Sequence, residues 1–297
     1  MTEALYPFQG QRFQRDGLGM HFLDEGPRDA PPVVMVHGNP TWSFYYRDLV
    51  KALCDDHRVI APDHIGCGRS DKPDADVYPY SLERRVDDLE ALLEHAEVKA
   101  NVTLVVHDWG GMIGMAWAAR HPDRVARFVI LNTGAFHLPD AKPLPWQIRI
   151  VRNTPLGPLL VQGLNAFSRG AVKYCVTRGA MPKDVAQGYL EPYDSWGNRL
   201  GVYRFVKSIP IHPGDPGYDV VDDVEAALPS FVDRPMLICW GLQDFVFDQH
   251  FLAEFERRFP NAEIHRFEDA GHLVLEDAGD EIAPLVRDFL GRHPLEA

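Results

Sequence analysis

The sequence predicts an α/β protein in which helices cover both faces of a mostly parallel sheet. Short apolar runs, such as VVMV at 33–36 and LICW at 237–240, alternate with stretches of helical spacing. The run LVV at 104–106 leads directly into HDWGG at 107–111, so a strand ends in a sharp turn that starts a helix. Between 136 and 227 the alternation gives way to prolines, aromatic residues and short helical pieces, which indicates an inserted helical cap.

Each predicted strand is a short apolar run, and each predicted helix follows a capping signal or has apolar residues at helical spacing. In chain order, the strands are expected at 32–37, 57–61, 101–108, 125–131, 235–240 and 262–267. The helices are expected at about 41–54, from Ser81, at 110–120, from Thr154 through Phe167, at 250–258 and after Asp280. The halves on either side of the cap should form one sheet. The predicted organisation is therefore a first core part at 1–135, a cap at 136–227 and a second core part at 228–297.

Composition narrows the possible functions. The chain has 297 residues and a net charge of −13 with no long basic run, which disfavours nucleic acid as a partner. We find no apolar stretch of membrane-spanning length and no signal-peptide pattern at the N terminus. Cys54, Cys67, Cys175 and Cys239 lack metal-ligand spacing and are interpreted as reduced thiols. We therefore expect a cytoplasmic protein without an integral membrane segment.

Asp108 occupies the position at which a hydrolase of the G-x-S-x-G type carries its serine nucleophile. A carboxylate needs no deprotonation at neutral pH, and it can displace a leaving group from a saturated carbon. The product is an ester of Asp108, which water can then attack at the carbonyl carbon. The alternative is that Asp108 only caps the helix that follows, a role that aspartate often has.

Asp244 and His272 supply the partners that such a nucleophile requires. Asp244 follows the next-to-last predicted strand and His272 follows the last one. This gives the chain order of nucleophile, acid and histidine that is typical of a nucleophile at this kind of turn. We predict that His272 is the base and that Asp244 orients its ring. The strand before them, 125–131, is followed by Asn132 and so offers no competing carboxylate.

Two N–H donors are candidates for binding a leaving group. Asn39 follows the first predicted strand, and Trp109 is the neighbour of Asp108. Their side-chain N–H groups could together hold a departing anion. The alternative for Trp109 is packing alone, since tryptophan is first of all a large apolar residue. We expect neither a metal ion nor an organic cofactor.

Four short segments carry a resemblance to a known family. They are HGNPTWS at 37–43, HDWGG at 107–111, WG at 240–241 with Asp244, and GH at 271–272. In these segments the sequence resembles the haloalkane dehalogenases of the α/β-hydrolase superfamily. An acid after the seventh strand, combined with Asn39 and Trp109 as halide-holding donors, is similar to the third subfamily.

Further segments resemble the cis-β-lactone decarboxylases of bacterial long-chain olefin synthesis, which belong to the same subfamily. They are PDHIG at 62–66, RVDDL at 85–89, NAFS at 165–168, PYDSW at 192–196, DFVFD at 244–248 and HFL at 250–252. This resemblance implies an enzyme that converts a long-chain cis-β-lactone to an alkene and carbon dioxide. It also implies a multienzyme assembly with the condensing and lactone-forming enzymes. Whether Asp108 would attack the ring carbon or the ring carbonyl stays open.

Three other functions compete with this interpretation. A haloalkane dehalogenase would use the same residues to form an alkyl ester on Asp108 and hydrolyse it. An epoxide hydrolase would need acidic tyrosines in the cap, for which the candidates are Tyr174, Tyr189, Tyr193 and Tyr203. A non-catalytic binding protein on the same scaffold would need no ordered set of nucleophile, acid and base.

Apolar residues of the cap could line a cavity for alkyl chains, or they could form the core of the cap itself. These residues are Leu156, Leu159, Leu160, Val161, Leu164 and Phe167.

Overall fold

A single sheet forms the centre of the molecule. The structure is a computed structural model that describes residues 4–295. Within that range, the strands are ordered β1-β2-β4-β3-β5-β6-β7-β8. In chain order they are β1 Gln11–Arg15, β2 Leu18–Glu25, β3 Pro32–Val36, β4 Arg58–Pro62, β5 Val102–Asp108, β6 Val125–Thr133, β7 Met236–Gly241 and β8 Glu263–Phe267. Among the strands of residues 4–295, only the pairs β1–β2 and β2–β4 are antiparallel, so the predicted mostly parallel sheet is confirmed.

Helices cover both faces of this sheet. They are α1 Arg47–Leu53, α2 Leu82–His95, α3 Trp109–Arg120, α4 Trp146–Asn153, α5 Ala166–Tyr174, α6 Lys183–Leu190, α7 Leu200–Lys207, α8 Tyr218–Ala227, α9 Gln249–Arg258 and α10 Val274–Arg292. Successive residues of β5 pack on opposite faces, with Val105 in the cluster that holds α1 and α10 and Val106 in the cluster that holds α2, α3 and α8. This arrangement confirms the predicted fold class. No helix in residues 4–295 is both long and apolar enough to cross a membrane.

The hairpin of β1 and β2 was not predicted. β1 reads QRFQR and lies at the edge of the sheet with most of its surface exposed, so it lacks the apolar run that indicates a buried strand. The last helix was predicted to begin after Asp280, but α10 begins at Val274 and is kinked at Ala278. The kink interrupts the apolar spacing along α10, so the sequence pattern indicated only the part of the helix that follows the kink.

The predicted helix from Thr154 through Phe167 is wrong. α4 ends at Asn153, a π-helical turn covers Leu159–Gly163, and α5 begins at Ala166. The hydroxyl and the backbone N–H of Thr154 both donate to the carbonyl of Ile150, which closes the last turn of α4. Proline is also common just after a helix end, because it cannot continue the helix, and Thr154-Pro155 marks such an end here.

The cap consists of α4 to α7 and has its own apolar cluster. Buried members of this cluster are Ile148, Val151, Val161, Tyr193, Val202 and Val206. The next helix, α8, packs against α3, and its Val221 and Val224 belong to the apolar cluster on that face of the sheet. The division of the chain at 135/136 and 227/228 stays a prediction.

The start of α3 lies unusually close to β3. A Cβ atom on Gly110 would lie 1.9 Å from the carbonyl oxygen of Val36, far inside the contact distance of the two atoms. Only glycine therefore lets α3 approach β3 at this point. This approach places the end of β5 beside the loop that follows β3.

We predict that Gly110→Ala lowers the free energy of unfolding by about 1–3 kcal/mol, because the added methyl group forces α3 away from β3. Gly291→Ala is the matched control, since a Cβ at this α10 position meets nothing within 4 Å. That substitution should leave stability unchanged or raise it by up to about 1 kcal/mol. Urea unfolding followed by circular dichroism measures both. Equal stability of Gly110→Ala and the wild type would contradict the packing described.

Candidate active site

Asp108 ends β5 at a sharp backbone turn. Its φ is 51° and its ψ is −128°, a conformation that is uncommon for a residue other than glycine. The structure shows no side-chain capping bond from Asp108 to α3; instead, Oδ1 accepts a hydrogen bond of 2.5 Å from the backbone N–H of Asn39. A Cβ on Gly38 would lie 2.0 Å from the same oxygen, so glycine leaves room for the carboxylate. The geometry therefore differs from that of a helix cap.

Asp244 and His272 lie beside Asp108, as the sequence predicts. Nδ1 of His272 is 2.7 Å from Oδ2 of Asp244, and Nε2 is 3.6 Å from Oδ2 of Asp108. All three side chains are buried. The imidazole thus lies between two carboxylates, with a hydrogen bond to one and a longer approach to the other.

Burial and charge set the ionisation of this group. Burial raises the pKa of Asp108, although His272 and the N–H of Asn39 oppose that effect. Burial alone would lower the pKa of His272, but the two nearby carboxylates outweigh burial and raise its pKa above the ordinary value. The arrangement therefore favours a positive charge on His272 while Asp108 is ionised.

Two residues that sequence reasoning missed hold this group in place. The amide of Asn132 donates to Oδ2 of Asp244 at 3.0 Å, and it also pairs with both backbone groups of Gly241. His107 is fully buried, and its Nε2 lies 2.8 Å from the carbonyl oxygen of His272. Burial lowers the pKa of His107 well below its usual value, so a neutral ring donates this bond. The signal for both was position in the sequence, since Asn132 is the next-to-last residue of β6 and His107 precedes Asp108.

Asn39 and Trp109 both line the cavity above Asp108. The amide nitrogen of Asn39 donates to the carbonyl of Val202 at 3.2 Å, which uses one of its two hydrogens. Within residues 4–295, the indole N–H of Trp109 has no hydrogen-bond acceptor. The Trp109 ring packs on Phe205, with ring centroids 5.4 Å apart. Each side chain therefore has an N–H that a bound anion could use.

The cavity has a volume of about 600 Å³ and extends from Asp108 into the cap. Its lining is mainly apolar, and Phe247 also stacks on the ring of His272. Of the apolar cap residues expected to line a cavity, Leu160, Val161 and Phe167 do so. The expectation was wrong for Leu156, Leu159 and Leu164, which are exposed at the surface.

The cap tyrosines do not form a pair over Asp108. Among the described residues, Tyr174 is the one of the four candidates that lines the cavity. Tyr189 donates to Glu276, Tyr193 donates to the carbonyl of Thr41, and Tyr203 packs in the cap. The geometry thus gives no support to an epoxide hydrolase. Within residues 4–295, no cluster of three or more His, Cys, Asp or Glu could hold a metal ion.

Comparison with known proteins agrees with this architecture. The model of the α/β-hydrolase fold family matches residues 31–279. A cis-3-alkyl-4-alkyloxetan-2-one decarboxylase of Shewanella oneidensis is 56% identical over 290 residues, which cover 98% of this chain and 91% of that protein. A decarboxylase of the same name from Xanthomonas campestris is 49% identical, with 99% and 100% covered. The structure of a haloalkane dehalogenase from Agrobacterium tumefaciens C58 superposes with a TM-score of 0.86 at 26% identity, with 99% and 100% covered.

We predict that the pKa of His272 lies above its ordinary value in the wild type and falls in Asp244→Asn, because removal of one carboxylate leaves the lowering effect of burial less opposed. NMR titration of the histidine ring protons measures this, and the His272 signal is the one lost in His272→Gln. Asp269→Asn removes the same charge from an exposed residue that pairs with Arg178, and it should leave the titration unchanged. A pKa in Asp244→Asn equal to that of the wild type would argue against the described pairing.

Proposed function

This chain belongs to the α/β-hydrolase family, and on that premise we propose that it converts a cis-β-lactone with two alkyl substituents to an alkene and carbon dioxide. One observation carries the proposal: near full-length similarity to two proteins named for the decarboxylation of a dialkyl oxetanone, the four-membered lactone ring. The buried carboxylate of Asp108 below an apolar cavity of about 600 Å³ supports it. Such a cavity suits a neutral substrate with alkyl chains.

In the proposed first step, Asp108 attacks the saturated ring carbon that bears the ring oxygen. An oxygen lone pair of Asp108 forms the new carbon–oxygen bond, and the electron pair of the broken bond leaves on the ring oxygen. The substrate is then an ester of Asp108 that carries a free carboxylate on the adjacent carbon. Asn39 and Trp109 are placed to donate N–H groups to that carboxylate.

In the second step, this carboxylate leaves as carbon dioxide. The electron pair of the breaking carbon–carbon bond forms the double bond, and the bond between substrate and Asp108 breaks with its pair returning to Asp108. The two steps balance without water and without net proton transfer. Attack at the ring carbonyl would instead give an acyl-enzyme with a neighbouring alkoxide, which does not lead directly to carbon dioxide and an alkene. The electron balance therefore favours attack of Asp108 on the saturated ring carbon.

His272 has a different task in each candidate reaction. In the lactone reaction no water is consumed, so we assign His272 the role of stabilising the Asp108 carboxylate as it re-forms. Its raised pKa and the distance of 3.6 Å between Nε2 and Oδ2 of Asp108 support that role. Asp244 orients the ring through Nδ1. In a haloalkane dehalogenase, His272 would instead take a proton from the water that hydrolyses the ester.

Haloalkane hydrolysis is the second candidate, favoured by the structural similarity to a haloalkane dehalogenase. Asn39 and Trp109 would then hold the halide. The lactone reaction is preferred because the decarboxylases match this chain at 56% and 49% identity. We further propose a cytoplasmic location, supported by the four free cysteines. An assembly with the enzymes that condense the chains and form the lactone completes the proposal, on the strength of the family resemblance.

The decisive assay compares a long-chain cis-β-lactone with a 1-bromoalkane. We expect Asp108→Asn to lower both rates by on the order of a thousand-fold or more, because both reactions need the nucleophile. His272→Ala should release about one bromide per enzyme and then stop, because ester hydrolysis needs a base. The same variant should continue to form alkene from the lactone over many turnovers, at a reduced rate. Gas chromatography of the alkene and ion chromatography of bromide provide the measurements.

His265→Ala serves as the control, since His265 lies on β8 with a partly exposed ring paired to Glu263. It should leave both reactions unchanged. Bromide release without any alkene from the lactone would favour the dehalogenase. Alkene formation that stops after one turnover in His272→Ala would contradict the route without water.

A further inference from the structure

The cap exposes an unusual set of apolar side chains. Within residues 4–295, eight large hydrophobic side chains are exposed, and six of them belong to the cap. We call these six the cap patch: Trp146, Leu156, Leu159, Leu164, Tyr174 and Trp196. Each exposes more than half of its surface. Exposed apolar residues scattered singly are ordinary, whereas a cluster on one structural unit indicates a binding surface.

Two residues of the cap patch lie at the mouth of the cavity. Trp146 and Tyr174 are exposed and also line the cavity, so they lie where it opens to solvent. Leu159 is the neighbour of Leu160 in the cavity wall. A Cβ on Gly163 would lie 3.1 Å from Leu159 and 3.4 Å from Trp196, so these two side chains flank the same glycine. At Trp146 and Tyr174, the apolar lining of the cavity therefore reaches the outer surface of the cap.

The cap is also basic, in contrast to the rest of the chain. Residues 141–210, which contain α4 to α7, have ten Lys and Arg but three Asp and Glu, a net charge of +7 in a chain whose net charge is −13, whereas the flanking residues 136–140 and 211–227 add six acidic residues and no basic one. Three of the ten cations pair with carboxylates outside this segment: Lys142, Arg152 and Arg178. The other 227 residues therefore carry −20. Arg149, Arg169 and Lys173 are exposed, and within residues 4–295 none of them has a carboxylate in ion-pair distance. These cations are left free to bind an external anion.

The free cations lie beside the mouth. Arg169 and Lys173 are one turn apart on α5, and the same helix presents Gly170 and Tyr174 to the cavity. Arg149 is one turn from Trp146 on α4. Helical spacing of three or four residues places such side chains next to each other on one face. Apolar and basic groups therefore share one surface around the opening.

We propose that the cap docks on a lipid bilayer with anionic headgroups, with the cavity mouth facing the lipid. Peripheral membrane proteins typically insert tryptophan, tyrosine and leucine side chains at the lipid interface and place Lys and Arg side chains beside them. The same anionic lipid repels the acidic remainder of the chain. This repulsion orients the molecule with its cap toward the bilayer. An acidic protein surface would match the charges, but it would not account for the apolar opening of the cavity into the patch.

Docking would also supply the substrate, an inference that rests on the proposed function. A neutral lactone with two alkyl chains dissolves in lipid far better than in water. A cavity that opens into the bilayer surface lets the chains pass from lipid to the apolar lining without crossing water. The membrane association itself does not depend on the identity of the substrate.

Vesicle sedimentation tests the proposal on the full-length protein. Vesicles of phosphatidylcholine alone are compared with vesicles of equal parts phosphatidylcholine and phosphatidylglycerol. The wild type should bind the anionic vesicles at least tenfold more tightly than the neutral ones, and added salt should weaken that binding. Two double variants, Leu159→Ser with Leu164→Ser and Arg169→Glu with Lys173→Glu, should each weaken binding to anionic vesicles at least tenfold.

Matched controls lie outside the cap. Val77→Ser removes an exposed apolar side chain, and Arg266→Glu reverses an exposed charge on β8; both should bind like the wild type. Wild-type protein that stays in solution, or cap variants that bind as the wild type does, would overturn the proposal, and the first result would favour a protein partner for the cap. Alkene formation from a short-chain, water-soluble lactone is measured in parallel. Wild-type protein that forms alkene but does not bind vesicles would contradict docking and leave the proposed function intact, whereas wild-type protein that binds vesicles but forms no alkene would contradict only the proposed function.

Discussion

Close packing between the β5–α3 turn and the loop after β3 fixes the carboxylate of Asp108. Gly110 lets α3 approach the carbonyl of Val36, and Gly38 leaves space for the carboxylate oxygen. The backbone N–H of Asn39 then binds that oxygen. Because these contacts are made by backbone groups, the position of Asp108 is set by the fold rather than by a flexible side chain. The proposed chemistry depends on a nucleophile that is already aimed into the cavity.

The charges around Asp108 suit the proposed attack of its carboxylate on a carbon atom. Burial makes charge costly, yet the pair of carboxylates raises the pKa of His272 and the resulting cation offsets part of the cost. Asn132 binds the carboxylate of Asp244, and Phe247 stacks on the imidazole, so the ring is held on two sides. Asn39 and Trp109 line the same cavity and are the proposed donors to an anion. The proposed nucleophile, the imidazole of His272 and the candidate anion donors thus border one mainly apolar cavity.

The sequence predicts those parts of the molecule in which one local pattern dictates one geometry. A strand that enters HDWGG places Asp108 at a turn, and residues just after β7 and β8 meet Asp108 because parallel strands end at the same edge of the sheet. Asn132 was dismissed because it is not a carboxylate, although its value lies in binding one. The cap is less predictable, because its short helices are stabilised by contacts with one another in the apolar cluster of the cap. In addition, Thr154-Pro155 is compatible with both a helix start and a helix end. The net charge of the whole chain, −13, is also a poor guide to the cap, because residues 141–210 alone carry a net charge of +7.

The central claim is that a carboxylate oxygen of Asp108 bonds to a carbon of the substrate. Acid quenching of the wild type within the first turnover of a cis-β-lactone, followed by peptide mass spectrometry, tests it most directly. The account predicts a transient mass increase equal to the intact lactone on the peptide that contains Asp108, and its disappearance as alkene accumulates. Alkene formation with no adduct on that peptide at any time, or with an adduct on another residue, would contradict the account.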